Sequence, residues 1–93
     1  MAIHFRVPTY LRAYADGRSE VPINTAGQTV GEALMGLWNV CPGLRDRVVT
    51  EQGGVRQHLN IFVGEENIRD CNGLATAVMD GCEITILPSV SGG

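Results

Sequence analysis

Ile3, Phe5 and Val7 alternate with His4 and Arg6 at the start of the chain, and this period of two predicts a half-buried strand. Pro8 and the stretch Thr9–Ala15 read as a linking segment that ends at the turn signal Asp16-Gly17. Glu20 to Ile23 reads as a second short strand, so residues 3–23 form a hairpin with a long connection. Thr29-Val30-Gly31-Glu32 then fits a capping box, in which the Thr29 hydroxyl accepts from the Glu32 amide and the Glu32 side chain reaches back. Val30, Leu34, Leu37 and Cys41 follow at helical spacing, flanked by Ala33 and Trp38, and Pro42-Gly43 stops the helix.

Leu44 to Val49 reads as one more helical turn, with Arg45, Asp46 and Arg47 outside, before a loop at Gln52-Gly53-Gly54. His58 to Val63 alternates again and reads as a central strand. Glu65-Glu66-Asn67 turns the chain, and Ile68-Arg69 reads as a short edge strand. After the Asp80-Gly81 turn, Cys82 to Leu87 is rich in β-branched residues and gives the last strand. The order β-β-α-β-β-β, without repeats, predicts an α+β domain over residues 1–87: a mixed sheet with one main helix packed across one face. Residues 88–93 form a flexible tail.

Alternation assigns the faces. Ile3, Phe5, Val7, Leu59, Ile61, Val63, Ile84 and Ile86 point at the helix, while His4, Arg6, Asn60, Phe62, Thr85 and Leu87 line the open face. Phe62 and Leu87 are the apolar members of that open face and therefore candidates for a partner-docking patch.

With 93 residues, 44% of them hydrophobic, the chain makes one small domain with little room for an elaborate buried active site. All seven basic residues are Arg and lie scattered from Arg6 to Arg69, against ten acidic residues and a net charge of −3. A nucleic-acid surface would cluster its cations, so nucleic acid is not expected as a partner. The mild acidity fits docking on a basic patch of a partner. Cys41, Cys71 and Cys82 form no C-x-x-C pair and have no nearby His, which points to reduced, half-buried thiols in a cytoplasmic protein. His4 and His58 complete no metal site. No apolar run approaches the roughly 20 residues that span a bilayer, so no membrane partner is expected.

The chemistry lies in the last six residues, Pro88-Ser89-Val90-Ser91-Gly92-Gly93. Pro88 ends strand pairing, and the remaining residues are small and uncharged. Extended, the six reach roughly 20 Å beyond the sheet at about 3.4 Å each. Gly92 and Gly93 carry no β-carbon, so a terminal carboxylate passes through a channel too narrow for other residues. Such a tail suits delivery of Gly93 into another protein's active site.

Asp80-Gly81-Cys82-Glu83-Ile84-Thr85-Ile86-Leu87-Pro88-Ser89-Val90-Ser91-Gly92-Gly93 resembles the C-terminal signature of the MoaD/ThiS ubiquitin-like sulfur carriers. His58 to Arg69 resembles the central strand and following turn of that family, and Thr29 to Leu34 its helix start. The resemblance implies a ubiquitin-like β-grasp fold and a chain that is a co-substrate, not a catalyst. A carboxylate with pKa near 3.5 is ionised at pH 7 and is no electrophile. The family therefore implies an E1-like activating enzyme that adenylates Gly93 with ATP, after which sulfur displaces AMP and leaves a thiocarboxylate. ATP belongs to that enzyme, and no cofactor is expected on this chain. Leu87 and Phe62 would dock the partner, and Pro88, Ser89, Val90, Ser91 and Gly92 would thread its channel. Arg12 lies near a family position that is sometimes Arg. Cys82 departs from the acidic residue usual after Asp-Gly.

The long segment Pro42 to Gln57, with Gly53-Gly54-Val55-Arg56 before the strand, is more similar to the CysO-type carriers, which feed sulfur to cysteine or related metabolites. The implied acceptor is a cysteine-synthase-like enzyme. The alternatives are the small subunit of molybdopterin synthase, with its large subunit as acceptor, and a modifier amide-linked through Gly93 to lysines of other proteins. Since the chain has no Lys, it cannot build lysine-linked chains on itself. A plain interaction domain with an inert tail is the remaining class.

Overall fold

The computed structural model describes residues 2–25 and 27–89. Strand β1 (Ala2–Arg6) pairs antiparallel with β2 (Glu20–Asn24), placing Ile3 opposite Ile23 and Phe5 opposite Val21. Helix α1 (Val30–Val40) and the short α2 (Arg45–Val48) follow, then β3 (Leu59–Val63), the two-residue β4 (Glu66–Asn67) and β5 (Glu83–Pro88). The sheet order is β2-β1-β5-β3-β4. The last strand thus lies in the middle, parallel to β1 and antiparallel to β3. This is the mixed sheet expected from the alternation and the β-grasp fold implied by the resemblance, although β5 rather than β3 takes the central place.

The core forms where the two periodicities meet. Ile3, Phe5, Val7, Leu59, Ile61, Ile84 and Ile86 from the sheet are buried against Val30, Ala33, Leu34, Leu37 and Cys41 of the helical stripe. Val63 is only half-buried, because it ends β3 at the hairpin opposite Glu66. At the helix start, Thr29 Oγ1 accepts from the Glu32 amide at 3.3 Å. The Glu32 carboxylate accepts from the Thr29 hydroxyl at 3.1 Å and from the Gln28 amide at 3.2 Å, one residue upstream of the usual reciprocal bond.

Gly36 sets how closely α1 approaches β2. A β-carbon there would lie 2.7 Å from Ile23 Cγ2, a branch methyl with little freedom to move. Gly36→Ala gains about 1 kcal/mol of helix propensity. The overlap outweighs that gain, and a net loss of about 1–2 kcal/mol is expected. A urea titration checks it, since an unchanged or higher midpoint would refute the close-approach argument.

Three segments differ from the sequence reading. Thr9–Ala15, expected as an irregular link, winds into a 3-10 helix that buries Leu11 and Ala15. Ile68-Arg69, expected as an edge strand, begins the 3-10 turn Ile68–Asp70, and the edge pairing falls on Glu66–Asn67. The Asn67 side chain accepts from the Arg69 amide at 3.0 Å, a local bond that competes with the ladder and turns the chain out of the sheet. Pro88, expected to end pairing, belongs to β5 opposite Leu59, and the Ser89 amide donates to the His58 carbonyl at 2.6 Å. The thiols also divide differently from the expectation: Cys41 is buried, Cys71 exposed, and only Cys82 half-buried.

Candidate tail-exit docking surface

Because β5 is central, the chain leaves the domain from the middle of the sheet. The bonds Gly64 N–H to Glu83 carbonyl (2.9 Å) and Ser89 N–H to His58 carbonyl bracket the β3–β5 ladder. By alternation, residues 83, 85, 87 and 89 turn their backbone groups to β3, and 84, 86 and 88 turn theirs to β1. Pro88 is therefore tolerated, since the N–H it lacks would point away from β3.

On the other side β5 outruns its neighbour. β1 ends at Arg6, level with Thr85, and Pro8 cannot donate to a longer ladder. An open groove of about 500 Å³ forms beyond that point, lined among others by Arg6, Pro8, Tyr10, Arg12, Leu87 and Pro88.

The two candidate docking residues come together. Phe62 lies opposite Thr85 and Leu87 opposite Asn60, so they are diagonal neighbours on the open face of adjacent strands. Leu87 is 42% exposed and also lines the groove, whereas Phe62 is half-buried. Pro88 and Ser89, assigned to the tail, close the ladder instead. Val90, Ser91, Gly92 and Gly93 lie outside the described residues.

Three further side chains shape this surface. Arg12 Nε donates to the Val7 carbonyl at 3.1 Å, which holds its guanidinium at the groove. Tyr10 lies half-exposed beside it, with burial pushing its phenol above the ordinary value, so the hydroxyl remains a donor. Arg69 crosses the start of β3: its Nε donates to Asn60 Oδ1 at 3.2 Å, and one terminal nitrogen donates to the carbonyls of Leu59 (2.7 Å) and Arg56 (3.0 Å). Sequence reading passed over Tyr10 and Arg69 and gave Arg12 only through resemblance. The spacing of Leu11 and Ala15 could have revealed the helical turn that presents Tyr10 and Arg12. Nothing local marks Arg69.

The Cys71 thiol is not primed for attack. Cys71 Sγ donates to Glu66 Oε2 at 3.4 Å, and this bond, reinforced by slight desolvation and the charges of Glu66 and Asp70, pushes the thiol above its ordinary value. Among the described residues, no three His, Cys, Asp or Glu side chains gather as a metal cluster, and no helix is long and apolar enough to cross a membrane.

Residues 5–93 match the ThiS family. The chain belongs to that family. It is 35% identical over 95 residues to the sulfur carrier protein CysO of Mycobacterium tuberculosis, covering 100% of both chains. It is also 35% identical over 65 residues to the small archaeal modifier protein 3 of Haloferax volcanii, across 70% of each. Among solved structures it is similar to a chain in the BexX/CysO complex of Amycolatopsis orientalis, with a TM-score of 0.85 and 33% identity over 98% of this chain and 99% of that one. These ThiS-family relatives are named as carriers and modifiers rather than catalysts, and the fold is the β-grasp they share.

Proposed function

We propose that this ThiS-family chain is a CysO-like sulfur carrier whose Gly93 carboxylate becomes a thiocarboxylate. The observation that carries the reading is the end-to-end similarity to a named sulfur carrier, joined to a central last strand whose ladder closes at Ser89, four residues before Gly93. An E1-like enzyme holds ATP, and the Gly93 carboxylate attacks the α-phosphate and expels pyrophosphate. Sulfur from a donor then attacks the acyl carbon and expels AMP. The resulting thiocarboxylate hands its sulfur to an acceptor enzyme, for which a cysteine-synthase-like enzyme fits the CysO likeness. Within this scheme the domain supplies recognition, and the partners supply the catalysis.

The test is the intact mass of the chain after incubation with ATP, an E1-like enzyme and a sulfide source. A gain equal to replacing one oxygen by sulfur supports the carrier. No gain, with the enzyme active on another carrier, overturns it. The likeness to a small archaeal modifier favours a second reading, in which the activated Gly93 forms an amide with a lysine of another protein. Lysine-linked adducts in a cell extract would distinguish it from free thiocarboxylate.

Leu87 is the exposed apolar contact nearest the tail on the open face. Leu87→Asp places a charge in that contact and is expected to raise the KM of the activating enzyme for this chain about tenfold or more, with kcat little changed. An unchanged KM would remove Leu87 from the docking surface.

A further inference from the structure

The net charge of −3 points to a basic partner, but the charges are not evenly spread. At the end where β5 begins, Asp80 accepts from the Ala2 amide, Glu83 starts the strand, and Glu65, Glu66 and Asp70 follow the end of β3. At the end where β5 leaves the sheet, the groove beside Leu87 and Pro88 is lined by Arg6 and Arg12. A second groove of about 310 Å³, sharing Tyr10 with the first, is lined by Arg47, Arg56 and His58, whose carbonyl receives the Ser89 amide. Of the acidic groups close to this rim, Asp46 also lines the second groove and faces Arg45 at 3.3 Å, Glu20 faces His4 Nδ1 at 3.1 Å, and Glu83 faces Arg6 at 3.4 Å.

From Glu83 to Pro88 the strand makes five steps, about 17 Å at about 3.4 Å each. That is about two Debye lengths at physiological salt. Glu83 reaches only Arg6, and the rest of the acidic end does not cancel the field around the exit, which is set by Arg12, Arg47 and Arg56.

We propose that this collar of Arg12, Arg47 and Arg56 docks an acidic segment of the enzyme that receives the tail. The composition of the collar suits the task. Several of its guanidiniums are already oriented by the protein: Arg12 by the Val7 carbonyl, Arg56 by the Asp46 carbonyl at 2.9 Å, and Arg47 by stacking 4.6 Å above the Tyr14 ring. Guanidinium stays protonated and non-nucleophilic at neutral pH, unlike the amine of Lys, which the chain lacks. Such cations offer no nucleophile to an acyl-activated carboxyl group. The inference rests on the carrier reading only for the identity of the delivered end.

The test is a titration of the ¹⁵N-labelled full chain with a short oligoglutamate peptide, and separately with oligolysine, at low salt and at about 0.15 M. Oligoglutamate is expected to shift the amides of residues 9–12, 56–59 and 85–89 and to bind roughly tenfold more weakly at the higher salt. Since Arg12 and Arg56 also hold carbonyls, the variant is Arg47→Gln, which should weaken binding about threefold while loss of the Tyr14 stacking lowers the melting temperature by no more than a few degrees. Met79→Ala, which lines neither groove, should change nothing. Shifts spread over the Arg18 and Arg45 surfaces, or the same amides responding to oligolysine, would overturn the proposal. Sulfur loading is read separately by mass, so a chain that never loads yet binds oligoglutamate at the collar refutes the carrier reading alone.

Discussion

Removal of Gly93 is expected to abolish sulfur loading and to leave the folded domain intact. The proposed reaction needs a free carboxylate that reaches the α-phosphate of a nucleotide held by another protein, and the domain can bring only its end there. Each residue is worth about 3.4 Å of reach, so a chain one residue shorter stops well outside bonding distance. Losses of about a hundredfold accompany misplacements of only about 1 Å in such reactions. The core, in contrast, is complete by Ile86, and the ladder closes at Ser89. Circular dichroism melts of the two chains should therefore superimpose while the mass shift disappears. Gly93→Ala separates reach from fit: it keeps the carboxylate and adds one methyl, and a drop of about tenfold or more is expected if the channel admits only glycine. Full loading of the shortened chain would refute the assignment of Gly93.

The largest stability effect is expected at Phe5. Its side chain is fully buried in β1, the strand between β2 and β5, level with Val21 on one side and Ile84 on the other. Both neighbours are fully buried, so the void left by Phe5→Ala has little surface chain able to collapse into it. Truncations of this kind cost about 3–5 kcal/mol. For a domain of this size each kcal/mol moves the melting temperature by about 4–8 °C, so a fall of about 15–30 °C is expected. Met79→Ala, at a side chain 75% exposed, is the control and should stay within about 0.5 kcal/mol. A Phe5→Ala melt within about 5 °C of the parent would mean that the sheet repacks around the void.

The segments legible in the sequence are those whose pattern is enforced by one long face. Val30, Leu34, Leu37 and Cys41 could bury only as a helix, and Ile84 with Ile86 only as a strand, because any other period would expose them. Ile68-Arg69 was misread because two apolar-polar residues fit several local structures, and the Asn67 side-chain bond that decides among them leaves little mark on the pattern. Leu11 and Ala15 did carry a spacing, but Pro8 and the Asp-Gly turn on either side made the stretch look like a connection.

The docking surface divides in the same way. Phe62 and Leu87 could be placed on one face by counting alone, since side chains alternate strictly along a strand. Their adjacency needed β3 and β5 to pair in the observed register. The collar needed more still. Arg12, Arg47 and Arg56 lie on three separate segments, and composition weighs each of them equally against every Asp and Glu in the chain. Hydrophobic period, a local property, determined the mixed α+β sheet with its one helix from sequence alone, and resemblance to a known family supplied the β-grasp class and the carrier reading. Where the charges gather was decided only by the tertiary structure: the sheet order brings distant segments to one end, and screening lets that end act apart from the net charge.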